Sequence, residues 1–205
     1  EHDKPFFLAL GLWHPHIPLF APQKYFDMYP LDQVRLPEVP ADDLDDLPEM
    51  ALKLAAARRS EHERIVAAGK WKEAVQAYLA CISFADAMAG SILDALAASP
   101  HADNTVIVLW SDHGWHLGEK VHWHKSTLWQ RATHVPLIFA GPGVEAAGTP
   151  RDMPVELLDI YPTLVEMLGF PARPELEGLS LVPQLRDPGA ARRPAVSSYL
   201  AGNHA

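Results

Sequence analysis

The chain has 205 residues, 48% of them apolar and 21% charged, enough to bury one sizeable core and too apolar for a disordered segment. Seventeen basic residues stand against 26 acidic ones, a formal net charge of −9, and no run of Lys or Arg offers a stripe for phosphate, which argues against a general nucleic-acid binder. The single cysteine excludes an internal disulfide, no stretch reaches the roughly eighteen unbroken apolar residues of a membrane span, and no basic-then-apolar secretion signal opens the chain.

In chain order, Pro5–Leu10 reads as a buried strand that delivers Gly11, Trp13, His14, Pro15, His16 and Pro18 at its exit. Prolines 22, 30, 37, 40 and 48 then punctuate a long connection, with one helical turn predicted around Gln23 to Met28. Connections this long without regular structure tend to shape binding sites. Asp42, Asp43, Asp45, Asp46 and Glu49 within it read most simply as a solvated loop or helix start. A long helix is predicted over Lys70–Ala98, where Ala77, Cys81, Phe84, Met88, Ile92 and Leu96 recur at spacings of three and four. Cys81 lies on that apolar pattern, so it reads as a packed, inert thiol rather than a nucleophile.

Thr105–Trp110, apolar or β-branched throughout, reads as a strand of a parallel sheet buried on both faces, reached from the first strand by a right-handed helical crossover. It ends in Ser111-Asp112-His113-Gly114-Trp115. Open α/β sheets bind ligands at the carboxyl ends of their strands, so a carboxylate and an imidazole delivered there, beside a glycine that permits a sharp turn, form a metal corner. Val121-His122-Trp123-His124-Lys125 follows, dense in imidazoles and ending in a lysine suited to an anionic substrate. Val135–Ala140 reads as a third strand closed by Gly141-Pro142-Gly143, Met153–Gly169 as an amphipathic helix, Leu179–Leu185 as a short helix and Pro194–Leu200 as a last strand. Any one of these histidines reads more simply as a structural or surface residue. Two strands that both release histidines at their exits nevertheless predict one shared rim, with His14, His16, Asp112, His113 and Lys125 drawn together.

The set Pro5–Gly11, His14–Pro18, Ser111–Trp115, Leu117–Glu119, Trp123–Lys125, Ala132–Ile138 and Leu158–Thr163 resembles the type I sulfatases, in particular the iduronate-2-sulfatase-like branch, over nearly the whole chain. The resemblance implies the α/β fold of the alkaline-phosphatase superfamily: a large mixed, mostly parallel sheet sandwiched by helices, here partial. Residues 1–205 would then form part of one catalytic domain, with a strand-rich core carrying the site loops over 1–150 and a packing helix with the start of the C-terminal region over 151–205. It further implies that Asp112 and His113 ligate a divalent metal, calcium by family habit. Calcium prefers oxygen ligands, so the imidazole keeps zinc or another transition ion open. His16 matches the histidine that contacts sulfate and helps protonate the leaving oxygen, and Lys125 the lysine that binds sulfate. Trp115, His14 and His124 would line the pocket for a sulfated carbohydrate.

The resemblance also implies departures at both ends, since relatives continue past Gly202-Asn203-His204-Ala205 into a small antiparallel C-terminal sheet expected outside this chain. The Cys/Ser-x-Pro-x-Arg signature, whose Cys or Ser becomes formylglycine, does not occur, and Cys81 is followed by Ile82, Ser83, Phe84 and Ala85. The formylglycine and the early metal aspartates are therefore expected in a missing N-terminal portion of roughly two hundred residues, and the 205-residue piece alone is predicted not to turn over. Family habit implies a periplasmic, secreted or lysosomal enzyme. Two other readings remain: a metal-dependent phosphodiesterase, phosphatase or phosphonate hydrolase of the same superfamily, and a non-catalytic module whose histidines bind metal or glycan.

Overall fold

The computed structural model describes residues 4–56, 59–145, 147–199 and 203–204. An extended N-terminal segment leads through Pro22 to a single helical turn, α1 (Gln23–Phe26), where the sequence predicts one. Helices α2 (Glu49–Ala56) and α3 (Arg59–Ala67) follow and lead to α4 (Trp71–Ala97), which fills the predicted span almost residue for residue because good helix formers dominate it and proline is absent. Cys81, Val75 and Ala80 are buried on α4. The rings of Tyr25 and Phe84 meet at 5.4 Å, and Gln76 Nε2 donates to the Tyr29 carbonyl at 2.7 Å, so α1 and the turn after it dock on one side of the helix. By length and composition α4 is also long and apolar enough to cross a membrane, which corrects the sequence reading. A search for an unbroken apolar run misses a helix whose polar residues are thinly spread.

Strands β1 (Ile107–Trp110) and β4 (Leu137–Ala140) pair antiparallel, with Ile107 opposite Ala140 and Trp110 opposite Leu137. Between them the chain forms β2 (His116–Leu117) and β3 (Trp123–His124), which pair with each other, and a helical turn, α5 (Gln130–Thr133). Two expectations are corrected here. The chain returns from β1 to β4 without a helical crossover, and a direct return gives an antiparallel neighbour. Nor is β1 buried on both faces: Leu109 and Trp110 are exposed. The predicted first strand is a larger departure. Residues 5–10 are extended but pair with no strand among the described residues, and Phe6, Phe7, Leu8 and Leu10 are exposed, so the crossover expected from it is not formed there. An apolar run signals burial, but a strand needs a neighbour to complete its ladder.

Beyond β4, the helix predicted from Met153 begins later, as a 3₁₀ turn over Leu157–Asp159 running into α6 (Ile160–Met167). A capping box between Glu156 and Asp159 sets that start, and Pro162 sits in the first turn of α6, where its missing N–H is not needed. Gly169 ends the element at φ +68°, the left-handed conformation that favours glycine. Helix α7 (Val182–Arg186) packs against α6, burying Val165, Leu181, Val182 and Leu185. Asp159 ties the unit together. Its carboxylate accepts from the backbone of Glu156 at 2.8 Å and of Leu179 at 2.7 Å and pairs with Arg192. The predicted last strand shrinks to β5 (Ser198–Tyr199), paired with β6 (Asn203–His204), while Leu200 falls outside the described residues.

Candidate functional site

The loops after residue 10 and after β1, and the β2–β3 loop, meet over α4. The backbone of His16 donates to the Trp13 carbonyl at 3.1 Å, a turn that brings the His16 ring back across the loop. His16 Nδ1–H donates to the Ile17 carbonyl at 2.8 Å, which leaves Nε2 as an acceptor, and Lys125 Nζ donates to it at 3.1 Å. His113 is built alike. Its Nδ1–H donates to the Gly114 carbonyl at 2.8 Å, and its Nε2 lies 3.7 Å from Asp112 Oδ2. A carbonyl acceptor on one ring nitrogen fixes the tautomer and presents the other as a base or ligand.

Trp115 joins these groups. Its ring lies 5.6 Å from that of His16, stacks at 6.1 Å on His113 and at 5.9 Å on Tyr78, and receives the edge of His124 at 4.7 Å. Burial, helped by the Glu119 carboxylate, pushes the Tyr78 phenol up to about 12, so it serves as a neutral floor beneath Trp115. Gly114 sits where only glycine fits: a Cβ there would come 2.0 Å from the Arg131 carbonyl oxygen. On that side a cavity of about 410 Å³ opens between Gly114, Trp115, Gln130, Arg131 and His134.

His16, Asp112, His113, Trp115, His124 and Lys125 are thus neighbours. His14 turns toward α4 instead, its ring 5.6 Å from Phe84. Asp112 projects into solvent, with 74% of its side chain exposed. Its oxygen and the bare His113 Nε2 fit part of a divalent cation's shell, a mixed oxygen and nitrogen set. Among the described residues no group of three or more His, Cys, Asp or Glu side chains gathers into a metal site.

Three contributors were not foreseen from the sequence. Glu61, on α3, accepts from His124 Nε2 at 2.8 Å. Tyr78 comes from α4. Glu119 holds the loop by accepting from the Leu117 backbone at 2.8 Å and from Arg131 at 3.2 Å, while its carbonyl accepts from His116 Nδ1 at 3.0 Å. Tyr78 lies in the apolar pattern of α4 and Glu119 in the Leu117–Glu119 motif of the family resemblance, but nothing in the sequence links Glu61 to a histidine 63 positions away.

A family model for sulfatases matches residues 1–170. A protein of Formosa agariphila named sulfatase is 47% identical over the whole chain, which covers 41% of that relative. Human iduronate 2-sulfatase is 32% identical over 83% of this chain and 37% of its own length. Among solved structures, a phosphonate monoester hydrolase of Agrobacterium radiobacter superposes with a TM-score of 0.78 at 25% identity, over 99% of this chain and 44% of that one. The chain therefore spans about two fifths of these relatives, and the likeness assigns it to the alkaline-phosphatase-like α/β fold.

Proposed function

The chain belongs to the sulfatase family, and on that premise we propose that it supplies one wall of the active site of a sulfuric ester hydrolase acting on sulfated sugars. One observation carries the reading: Lys125 Nζ meets His16 Nε2 at 3.1 Å across 109 positions of sequence, beside the Asp112–His113 pair. Lys125 holds the sulfate as a point charge. As the bond from sulfur to the sugar oxygen breaks, that oxygen takes a proton from the His16–Lys125 pair, which spares the site a free alkoxide. Asp112 and His113 would contribute an oxygen and a nitrogen to a divalent cation, calcium or zinc, whose charge would favour the sulfate group, and the attacking oxygen would come from a formylglycine that these 205 residues do not carry. Trp115 offers a flat apolar face to the sugar, flanked by His124, while His14, packed on Phe84, stands outside this pocket. The 205 residues alone hold half of this machinery and do not turn over. Sugar specificity draws support from the similarity to iduronate 2-sulfatase.

A second reading, hydrolysis of phosphonate or phosphate esters, is favoured by the superposed phosphonate monoester hydrolase and by the imidazole at position 113. The test is release of sulfate or phosphate by the full-length protein from sulfated saccharides and phosphonate monoesters. We expect sulfate release, weakened in Lys125→Ala by about 1–3 kcal/mol of lost charge-assisted contact. Hydrolysis of phosphonates alone would move the assignment to the second reading, and wild-type kinetics in Lys125→Ala would remove that lysine from the site.

A further inference from the structure

The loop that carries Lys125 is held in an unfavourable backbone. Lys120, Val121 and His124 all take left-handed φ values, +57°, +53° and +69°, and none is a glycine. Each such residue costs about 1–3 kcal/mol and persists only where its surroundings over-determine it. At Lys120 the restraint is visible: its ammonium donates to both the Asp43 side chain and the Asp43 carbonyl, at 2.7 and 2.8 Å. At His124, the residue directly before Lys125, the restraint comes from α3. Two successive residues of α3 grip two successive residues of β3. Glu61 Oε1 accepts from His124 Nε2 at 2.8 Å, and His62 Nδ1 accepts from Trp123 Nε1 at 3.0 Å. The Glu61–His124 pair is mostly shielded, with side-chain exposures of 26% and 14%. The His124 ring in turn meets Trp115 edge-on at 4.7 Å.

We infer that Glu61 is a positioning residue: by fixing the His124 ring it holds the left-handed turn that aims Lys125 at His16 and seats Trp115 against His124. The inference rests on the sulfatase reading for what Lys125 binds, though not for the clamp itself. A carboxylate suits this task because a charge-assisted bond to an imidazole N–H is both short and directional. It also dictates which nitrogen of His124 carries the proton, leaving Nδ1 bare.

The experiment uses full-length Glu61→Ala and Glu61→Gln, with inorganic sulfate and inorganic phosphate as binding probes, a sulfate ester as substrate, and nitrogen-15 spectra of the histidine rings. In the wild type, His124 should carry its proton on Nε2. In Glu61→Ala that preference should be lost, and sulfate affinity should fall about ten- to a hundredfold, the scale of a misplacement of about 1 Å. KM should rise more than kcat falls. Glu61→Gln, whose amide oxygen still accepts the Nε2 proton, should recover most of the affinity. A merely structural role would lower the melting temperature and leave KM and sulfate affinity of the folded protein unchanged, which would overturn the inference. If Glu61→Ala fails to fold, Glu61→Asp keeps the charge and withdraws it by one methylene; unaltered sulfate affinity there would also overturn it. A wild type that binds sulfate or phosphate tightly but releases no sulfate from esters would defeat the sulfatase reading and leave the anion affinities to judge Glu61. A wild type that binds neither anion would defeat both.

Discussion

Asp159 and His116 are both fully buried, yet their polar atoms are treated differently. Around Asp159 the accounting closes: both carboxylate oxygens take backbone donors, Arg192 supplies the opposite charge, and Thr163 Oγ1 both donates to the Asp159 carbonyl at 2.6 Å and accepts from Leu181 N at 2.8 Å. In the histidine-rich region it does not. His116 Nε2, His124 Nδ1 and His14 Nδ1 are buried with no hydrogen-bond partner among the described residues, while the opposite nitrogen of His116 and of His124 is firmly held. Burial of the first kind stabilises, and burial of the second kind costs free energy that a protein tolerates where chemistry is done. The two regions therefore differ in kind: one locks the C-terminal unit with every polar atom of Asp159 paired, and the other leaves imidazole nitrogens unsatisfied near the candidate site.

The sharpest way to break this comparison is to remove the lock. Asp159→Ala strands the Arg192 guanidinium, whose side chain is only 3% exposed, and orphans two backbone donors. Removing one partner of a buried pair costs about 3–5 kcal/mol, so denaturant unfolding should show a loss of that order. Anion binding by the protein that remains folded should be retained, since no contact of Asp159 reaches the His16–Lys125 group. A loss below about 1 kcal/mol, the scale of an exposed ion pair, would mean that the two regions do not differ in the way described.

A middle-sized effect is expected at Gly114, where the site meets its scaffold. A methyl group there would press into the Arg131 carbonyl, and the Gly114 backbone is also tied to Ala132 O at 2.8 Å. Gly114→Ala should therefore cost about 1–3 kcal/mol through overpacking. Unlike the Asp159 variant, it should also disturb the site, because Asp112 and His113 ride on the segment that must move. Calorimetry with inorganic sulfate, run beside the unfolding curve, separates the two: a stability loss with wild-type anion affinity would detach Gly114 from the site.

The difference between the regions also bears on what could be read from the sequence. Helix α4, the turn at α1 and the position of β1 and β4 follow from local pattern, and the structure has them within a few residues. What failed were statements about neighbours. Residues 5–10 carry a strand's composition, but composition does not supply a pairing partner, and the direction of β4 against β1 depends on a connection with no periodicity of its own. The site divides along the same line. Asp112, His113, Trp115 and Lys125 stand within one short stretch and His16 in a histidine-rich exit, so the residue types were legible as a group. Glu61 was not, because an ion pair between distant segments exists only once the fold has brought them together. His14 shows the converse, a site-like residue whose ring goes to Phe84.

The smallest expected effect tests the unsatisfied region through pH. Burial pulls the pKa of His116 below its ordinary 6.5, although the carbonyl and carboxylate of Glu119 pull the other way and Arg131 adds to the lowering. Burial does the same to His62, against the opposing charge of Glu63, and His62 Nδ1 is moreover occupied as an acceptor from Trp123. Both rings are therefore neutral in the folded protein at a pH where the unfolded chain already binds protons. Stability from this source is complete above about 6.5, the unfolded value, and falls as the pH drops from there toward the lowered folded values, because the unfolded state binds more protons across that window. Melting temperature measured from pH 8 to pH 5 should fall with acidification, and His116→Gln, which cannot titrate, should flatten the decline. A decline of the same steepness in His116→Gln would mean that the buried imidazole at 116 costs nothing to charge, and the contrast between the two regions would then rest on geometry alone.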